Sequence, residues 1–254
     1  MTPSEIEPEA RRAPPLRPID LDAVERMTGR KLLRPAALAG PPSDLSAPDL
    51  AALRVAYDWI CAAIFRRVQK TETRNEAVCP FAEPSADAGL LFLSVGRPSS
   101  PSAPRALADE VRLYGEIFQQ LEPRDGSLAM LRCIVLVLPD TPHELILPAV
   151  DPAKNSVETE LLERGIMVGE FYRDCPFPAT WDRSFLPLQA PIPLYVFRPF
   201  IKTDWRLIHR VKAWREIYKR RFGEPPTGDQ HQFPAVIGWV ARRLAARIRL
   251  FLGR

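Results

Sequence analysis

The chain has 254 residues, of which 46% are hydrophobic and 26% are charged, enough to bury a full core in one domain. The net charge of +4 is unevenly spread, because residues 202–254 carry 13 basic against 4 acidic residues. No apolar run is long enough to span a membrane, and residues 1–25 lack a signal-peptide pattern. These features exclude an integral membrane protein and predict a cytoplasmic location.

The N-terminal segment, residues 1–45, mixes proline, alanine and charged residues without periodicity. We predict a disordered or loosely packed tail here, with at most a short helical turn near residues 21–27. From Ser46, a helix N-cap followed by Pro48 and Asp49, apolar residues recur every three or four positions as far as Val68. This pattern predicts a long amphipathic helix that opens the globular domain.

Residues 46–223 contain segments of strand length that alternate with helical patterns. The predicted strands are 89–95, 128–138, 166–172 and 194–200, and the predicted helices are 104–121, 142–165, 203–223 and 234–252. This order predicts one α+β domain over 46–223, with a mostly antiparallel four-stranded sheet and helices packed on one side. A ferredoxin-like arrangement is one variant of that fold.

Two short motifs stand in a consistent order with further residues downstream. They are Val78-Cys-Pro-Phe81 and Gly165-Ile-Met-Val-Gly-Glu-Phe-Tyr172, followed by Pro191-Ile-Pro-Leu194, Arg198 and Asp204. Over roughly residues 75–208, this series resembles a bacterial family defined as a domain of unknown function. The family has His where this chain has Tyr172, so a proton transfer or metal binding by that His does not carry over to this chain. The resemblance implies candidate positions rather than an activity.

The cysteines supply one candidate chemistry. Cys79 and Cys175 each stand in a Cys-Pro-Phe tripeptide, which predicts that both lie on loops and line one site. Such thiols are compatible with haem–thiolate ligation or with a dithiol–disulfide exchange, and the alternative is simple packing. No CxxC pair accompanies Cys61 or Cys133, and the three histidines are scattered, so we predict no metal site.

The third and fourth predicted strands supply another candidate site. If these strands pair, Glu170 and Arg198 stand on one face, where they form either a structural ion pair or an anion pocket that includes Tyr172. In the pocket, Arg198 holds the ligand and Glu170 orients it or accepts a proton. Arg164 and Asp204 flank the strands, and charge compensation at helix ends is the alternative explanation for both.

The C-terminal segment, residues 224–254, predicts a basic amphipathic helix. An anionic membrane surface or a protein partner is the expected contact, alongside simple packing on the domain. The residues proposed for that contact are Trp239, Arg242, Arg243, Arg247 and Arg249. No helix-turn-helix, zinc finger or aromatic RNA-binding strand accompanies the charge, so we do not expect nucleic-acid binding.

The sequence contains no Gly-rich phosphate loop, Gly-x-Ser-x-Gly or His-Glu-x-x-His motif. This argues against the commonest nucleotide-binding, hydrolase and metalloprotease classes. The leading hypothesis is binding of a small anionic metabolite, with or without catalysis, in a pocket between the sheet and the two Cys-Pro-Phe loops. The alternatives are an interaction module acting through the C-terminal helix and a haem–thiolate or thiol redox protein.

Overall fold

A computed structural model describes residues 20–40, 44–71, 74–146, 152–179, 182, 184–208 and 211–225. Its helices are α1 (Leu21–Thr28), α2 (Ala47–Trp59), α3 (Ala82–Asp87), α4 (Pro104–Gln120), α5 (Gly126–Ala129), α6 (Pro152–Glu163), α7 (Trp205–Ile208) and α8 (Lys212–Phe222). Its strands are β1 (Arg67–Thr71), β2 (Arg74–Ala77), β3 (Leu91–Val95), β4 (Cys133–Val137), β5 (Ile166–Phe171) and β6 (Leu194–Pro199). The predicted C-terminal helix and its contact residues lie outside the described residues.

The central sheet has four strands in the order β3-β4-β6-β5. Strands β3 and β4 are parallel and are joined through α4, whereas the β4–β6 and β5–β6 pairs are antiparallel. The α+β class and the four strands of the sheet are therefore confirmed, and the sheet is mixed. The ferredoxin-like variant is corrected, because that fold needs the order β-α-β-β-α-β and here the last two strands of the sheet follow one another.

Helices cover both faces of the sheet, rather than the single face that the sequence predicted. On one face, α4 and α6 contribute Val111 and Leu161 to a core with Phe92 and Phe197. On the other face, α2 packs against β3 and β4 in a cluster that also includes Leu194 of β6, and Leu53 is fully buried. The near-continuous apolar sequence of β3 and β4 follows from this arrangement, because side chains on both faces of these strands are buried.

The N-terminal segment is more ordered than the sequence predicted. Helix α1 begins after Asp20, whose side chain accepts a hydrogen bond from the Ala23 amide, and it contributes Val24 to the core. Leu33 forms a backbone bridge with Leu93 at the free edge of β3. Residues 20–40 therefore pack against the domain that was predicted to begin at residue 46, and residues 1–19 lie outside the described part.

The helix predicted from Ser46 to Val68 ends earlier than expected. Ser46 caps α2 by accepting from the Asp49 amide, and a π-helical turn follows at Ile60–Ile64. Val68 then lies in β1, which pairs with β2 as an antiparallel hairpin. The turn positions the first Cys-Pro-Phe loop, because the Ile64 carbonyl accepts a hydrogen bond from the Cys79 amide.

Helices α7 and α8 form a third apolar cluster that covers the end of β6, with Tyr218 and Phe200 at its centre. Tyr218 donates a hydrogen bond to the Lys202 carbonyl at 2.8 Å, which fixes α8 against the segment that follows β6. Of the helices described in the structure, none is both long and apolar enough to cross a membrane.

Candidate functional site

Arg198, near the end of β6, is locked by the carboxylate of Asp204. Nη1 of Arg198 donates to Oδ2 of Asp204 at 2.8 Å, and Nη2 donates to Oδ1 at 2.7 Å. Oδ2 also accepts from the Ile201 amide at 2.9 Å, which holds the carboxylate at the start of a short helical turn. The side chain of Asp204 is 5% exposed and that of Arg198 is 24% exposed. The ion pair is thus bidentate and largely buried, and a backbone amide also holds the carboxylate in place.

The guanidinium of Arg198 retains unused donors. Its five N–H hydrogens can serve two parallel edges, one through Nη1 and Nη2 and one through Nε and Nη2. The first edge bonds Asp204, and the other Nη1 hydrogen donates to the Pro199 carbonyl at 3.1 Å. The hydrogen bonds described for Arg198 are donated by Nη1 and Nη2, and none of them uses Nε. This edge matches the geometry of a second carboxylate or of a phosphate.

Two thiols lie near this guanidinium. Ile134 of β4 pairs with Phe197 of β6, so one further step of the register places Cys133 opposite Arg198 on the same face. Cys79 packs in the same apolar cluster as Cys133, and both are half-buried. Burial by itself lowers the pKa of Arg198. The negative charge and hydrogen bonds of Asp204 outweigh burial, and Cys79 and Cys133 act in the same direction as Asp204, so the pKa of Arg198 is raised.

Cys133 remains protonated at neutral pH. Burial, and after it the nearby Cys79, raises the pKa of Cys133 to about 12, while Arg198 partly opposes this shift. A protonated thiol carries no charge that would compete with an anion for the guanidinium. The grouping of Arg198, Asp204, Cys79 and Cys133 is called the Arg198 cluster below.

Glu170 does not join this cluster, so the predicted Glu170–Arg198 pair is wrong. In the β5–β6 register, Glu170 lies opposite Tyr195 and Met167 lies opposite Arg198. Because side chains alternate along a strand, Glu170 and Arg198 project from opposite faces of the sheet.

Tyr172 and Cys175 also lie apart from Arg198, in the core on the α4 and α6 face. Burial, followed by the Cys175 thiol, raises the pKa of Tyr172. Cys175 is 0% exposed, so it offers no thiolate to a haem iron in this packing. The sheet separates Cys175 from Cys79, and the prediction that the two Cys-Pro-Phe loops form one site is therefore corrected.

Arg164 has the helix-end role that the sequence left open. It follows α6 and pairs with Glu160 at 2.8 Å, one helical turn back, with both side chains 36% exposed. Gly165, the next residue, has a φ of +79°, and a Cβ there would lie 2.4 Å from a guanidinium nitrogen of Arg221. The segment is therefore a tightly packed helix end.

A second buried arginine–carboxylate pair lies at the other end of the sheet and was not predicted. Glu110 of α4 accepts from Nε and Nη2 of Arg30 at 3.0 and 2.7 Å, and from the Arg97 amide at 2.9 Å. The Arg97 guanidinium in turn pairs with Asp49 and, at 2.9 Å, with Asp140. This network links the N-terminal segment, α2 and the loops that follow β3 and β4.

A protein-family model matches residues 54–232. The chain belongs to the family described as Domain of unknown function (DUF6875). Neither a curated protein nor a solved structure matches the chain. The four residues of the Arg198 cluster all lie inside the DUF6875 region, whereas Arg30 lies before it. Within the described part of the chain, no group of three or more histidine, cysteine or acidic residues is arranged to hold a metal ion.

Sequence reasoning selected three residues of the Arg198 cluster and missed Cys133. Arg198, Asp204 and Cys79 were all expected at a site, and the structure brings them together within the DUF6875 domain. Cys133 begins a buried strand, where a cysteine reads as a small apolar residue. Its proximity to Arg198 depends on the β4–β6 register, and no local sequence pattern carries that register.

Proposed function

We propose that the domain binds a small anionic molecule, carrying a carboxylate or a phosphate, at the Nε edge of Arg198. The observation that supports this is the pair of parallel N–H donors that remains beside the Asp204 ion pair. Arginine recognises planar or tetrahedral oxyanions through such parallel donors, and the two hydrogen bonds give direction as well as charge.

Asp204 favours this role because it holds the guanidinium in one orientation. An arginine fixed before binding loses less side-chain entropy when a ligand arrives. The carboxylate of Asp204 also accepts a hydrogen bond from the Ile201 amide, so Arg198 is not its only donor. The neutral Cys133 thiol adds no repulsion at neutral pH.

The proposal covers binding and no catalytic step. Glu170, the predicted proton acceptor, lies on the other face of the sheet. Asp204 is already committed to three hydrogen bonds, two from Arg198 and one from Ile201. We further propose a reducing, cytoplasmic setting, which fits the four cysteines Cys61, Cys79, Cys133 and Cys175 that are free thiols in the structure.

Calorimetric titration with inorganic phosphate and with a series of small mono- and dicarboxylates tests the proposal. Small molecules that co-purify with the protein, identified by mass spectrometry, guide the choice of further anions. Arg198→Lys keeps the positive charge and removes the parallel donors, so we expect the affinity for the best anion to fall about tenfold or more.

The matched control is Arg30→Lys, because Arg30 is 23% exposed and pairs with a carboxylate that is 5% exposed. This variant should bind the anion as the wild type does. Equal loss of affinity in both variants, or no saturable binding by the wild type, would reject the Arg198 site.

A second candidate function is contact with an anionic surface through the basic C-terminal part of the chain. Its support among the described residues is the exposure of Leu207 and Val211, 52% and 38%, together with the basic last turn of α8. Flotation with vesicles that contain anionic lipid tests it. Replacing Arg242, Arg243, Arg247 and Arg249 with glutamine should abolish flotation, and unchanged flotation would reject this role for these residues.

A further inference from the structure

The first Cys-Pro-Phe loop is fastened beside the start of β4 by contacts on both sides of Cys79. The Cys79 amide donates to the Ile64 carbonyl, and the Cys79 carbonyl accepts from the Ala82 amide, where α3 begins. Within α3, the Ser85 hydroxyl donates to the Leu131 carbonyl, two residues before Cys133. The loop and the start of β4 therefore hold Cys79 and Cys133 in one place on the α2 face of the sheet.

The two thiols share an apolar environment on the α2 face of the sheet. Both pack in the cluster that includes Leu91 and Ile64, and Cys79 contributes directly to the pKa of Cys133. Both are half-buried, so a small oxidant has access that it lacks at the fully buried Cys175. Arg198, on the same face, favours the ionised form of Cys133. Burial outweighs this effect and keeps Cys133 protonated, so Cys133 acts as the second, resolving thiol rather than as the first nucleophile.

We propose that Cys79 and Cys133 form a redox-active dithiol that closes to an intramolecular disulfide when the protein meets a low-molecular-weight disulfide such as oxidised glutathione. This inference goes beyond anion binding and does not depend on it. It replaces the Cys79–Cys175 pair, which the sheet keeps apart, with a pair that the fold brings together.

The exchange proceeds in two balanced steps. The Cys79 thiolate attacks one sulfur of oxidised glutathione, which breaks the glutathione S–S bond, releases one glutathione thiolate and leaves a mixed disulfide on Cys79. The Cys133 thiol then gives its proton to a base in solution, and its sulfur attacks Sγ of Cys79, which releases the second glutathione. The protein loses two thiol protons and two electrons, and one glutathione disulfide takes them up to become two thiols.

Mapping the disulfide in the full-length wild-type chain tests this proposal. Reduced protein is incubated with oxidised glutathione, free thiols are blocked with N-ethylmaleimide, and the digest is analysed by mass spectrometry. We expect a cross-linked peptide that joins Cys79 to Cys133 and disappears on treatment with dithiothreitol. Pairing of Cys79 with Cys61, or full alkylation of both Cys79 and Cys133, would overturn the proposal.

Two variants separate exchange chemistry from packing. Cys133→Ser removes the attacking sulfur of the second step, so the glutathione adduct on Cys79 should accumulate. Cys175→Ser is the matched control, because Cys175 belongs to the opposite core, and it should leave the Cys79–Cys133 cross-link unchanged. No adduct in Cys133→Ser, or loss of the cross-link in Cys175→Ser, would contradict the assignment. If Cys133→Ser fails to fold, the wild-type map alone decides.

Discussion

Two buried arginine–carboxylate pairs stand at opposite ends of the sheet, and they are nearly identical in burial. The side chains of Arg30 and Glu110 are 23% and 5% exposed, and those of Arg198 and Asp204 are 24% and 5% exposed. Each carboxylate accepts two hydrogen bonds from its arginine and one from a backbone amide. By burial and bond number, the two pairs should contribute similarly to stability.

The two pairs differ in which N–H donors of the arginine lie outside the ion pair. Arg30 binds Glu110 through its Nε edge and gives a further Nη2 bond to the Arg97 carbonyl at 3.3 Å, so neither parallel edge remains complete. Arg198 binds Asp204 through its Nη1–Nη2 edge and keeps the Nε edge. Burial therefore does not separate a structural ion pair from a binding site, whereas the donor geometry that remains does.

The largest expected effect concerns the similarity of the two pairs. Glu110→Gln and Asp204→Asn each leave a largely buried arginine without its counter-charge, and each should lower the free energy of unfolding by about 3 kcal/mol. Urea denaturation measures both. Strongly unequal losses would show that burial and bond number are not what sets the stability of these pairs.

A smaller effect separates the two ends by their titration at alkaline pH. Burial raises the pKa of Cys133, beside Arg198, from 9.0 to about 12. Burial also raises the pKa of Tyr114, beside Glu110, but the ordinary pKa of a tyrosine is already 10.0. An unfolded chain loses the thiol proton near pH 9 and the folded chain keeps it, so stability falls as the pH rises. Between pH 9 and 10 this loss should be about 1 kcal/mol.

Urea denaturation at a series of pH values checks the titration. Cys133→Ser should reduce the fall between pH 9 and 10 by about 1 kcal/mol, while Tyr114→Phe should reduce it less, because an unfolded tyrosine loses its proton only near pH 10. An equally steep loss of stability in Cys133→Ser and in the wild type over this interval would contradict the role given to the Cys133 thiol.

The smallest effect is expected at Arg164, a predicted site residue that belongs to neither pair. Arg164→Ala removes a half-exposed ion pair with Glu160, one helical turn away, and should cost about 0.5 kcal/mol or less. Thermal denaturation with and without phosphate should show the same anion-dependent stabilisation as in the wild type. Loss of that stabilisation would place Arg164 in the binding site.

Local sequence patterns predicted the strands of the sheet but not which of their faces coincide. Alternation places Ile166 on the same face as Glu170 and Leu194 on the same face as Arg198, because it depends only on the period of a strand. Which of these groups share a face depends on the β5–β6 register, and a shift of one residue exchanges them. The observed pairing of Glu170 with Tyr195 therefore separates two side chains that the sequence placed together.

Contacts between distant segments account for the other differences. Leu33 and Leu38 are buried although residues 30–40 show no periodicity, because the Leu33 backbone pairs with the edge of β3. Arg30 and Glu110 are 80 residues apart, and neither has a local signal for the other. By contrast, Arg198 and Asp204 lie six residues apart, so sequence reasoning found both.

The central claim is that the Nε edge of Arg198 binds an anion while Arg30 does not. Two-dimensional NMR of the ¹⁵N-labelled Nε–H groups, during a titration with inorganic phosphate, observes that edge directly. The signal of Arg198, assigned by its absence in Arg198→Lys, should move in a saturable way, and that of Arg30 should stay. An unmoved Arg198 signal, or an equal shift of the Arg30 signal, would contradict the account.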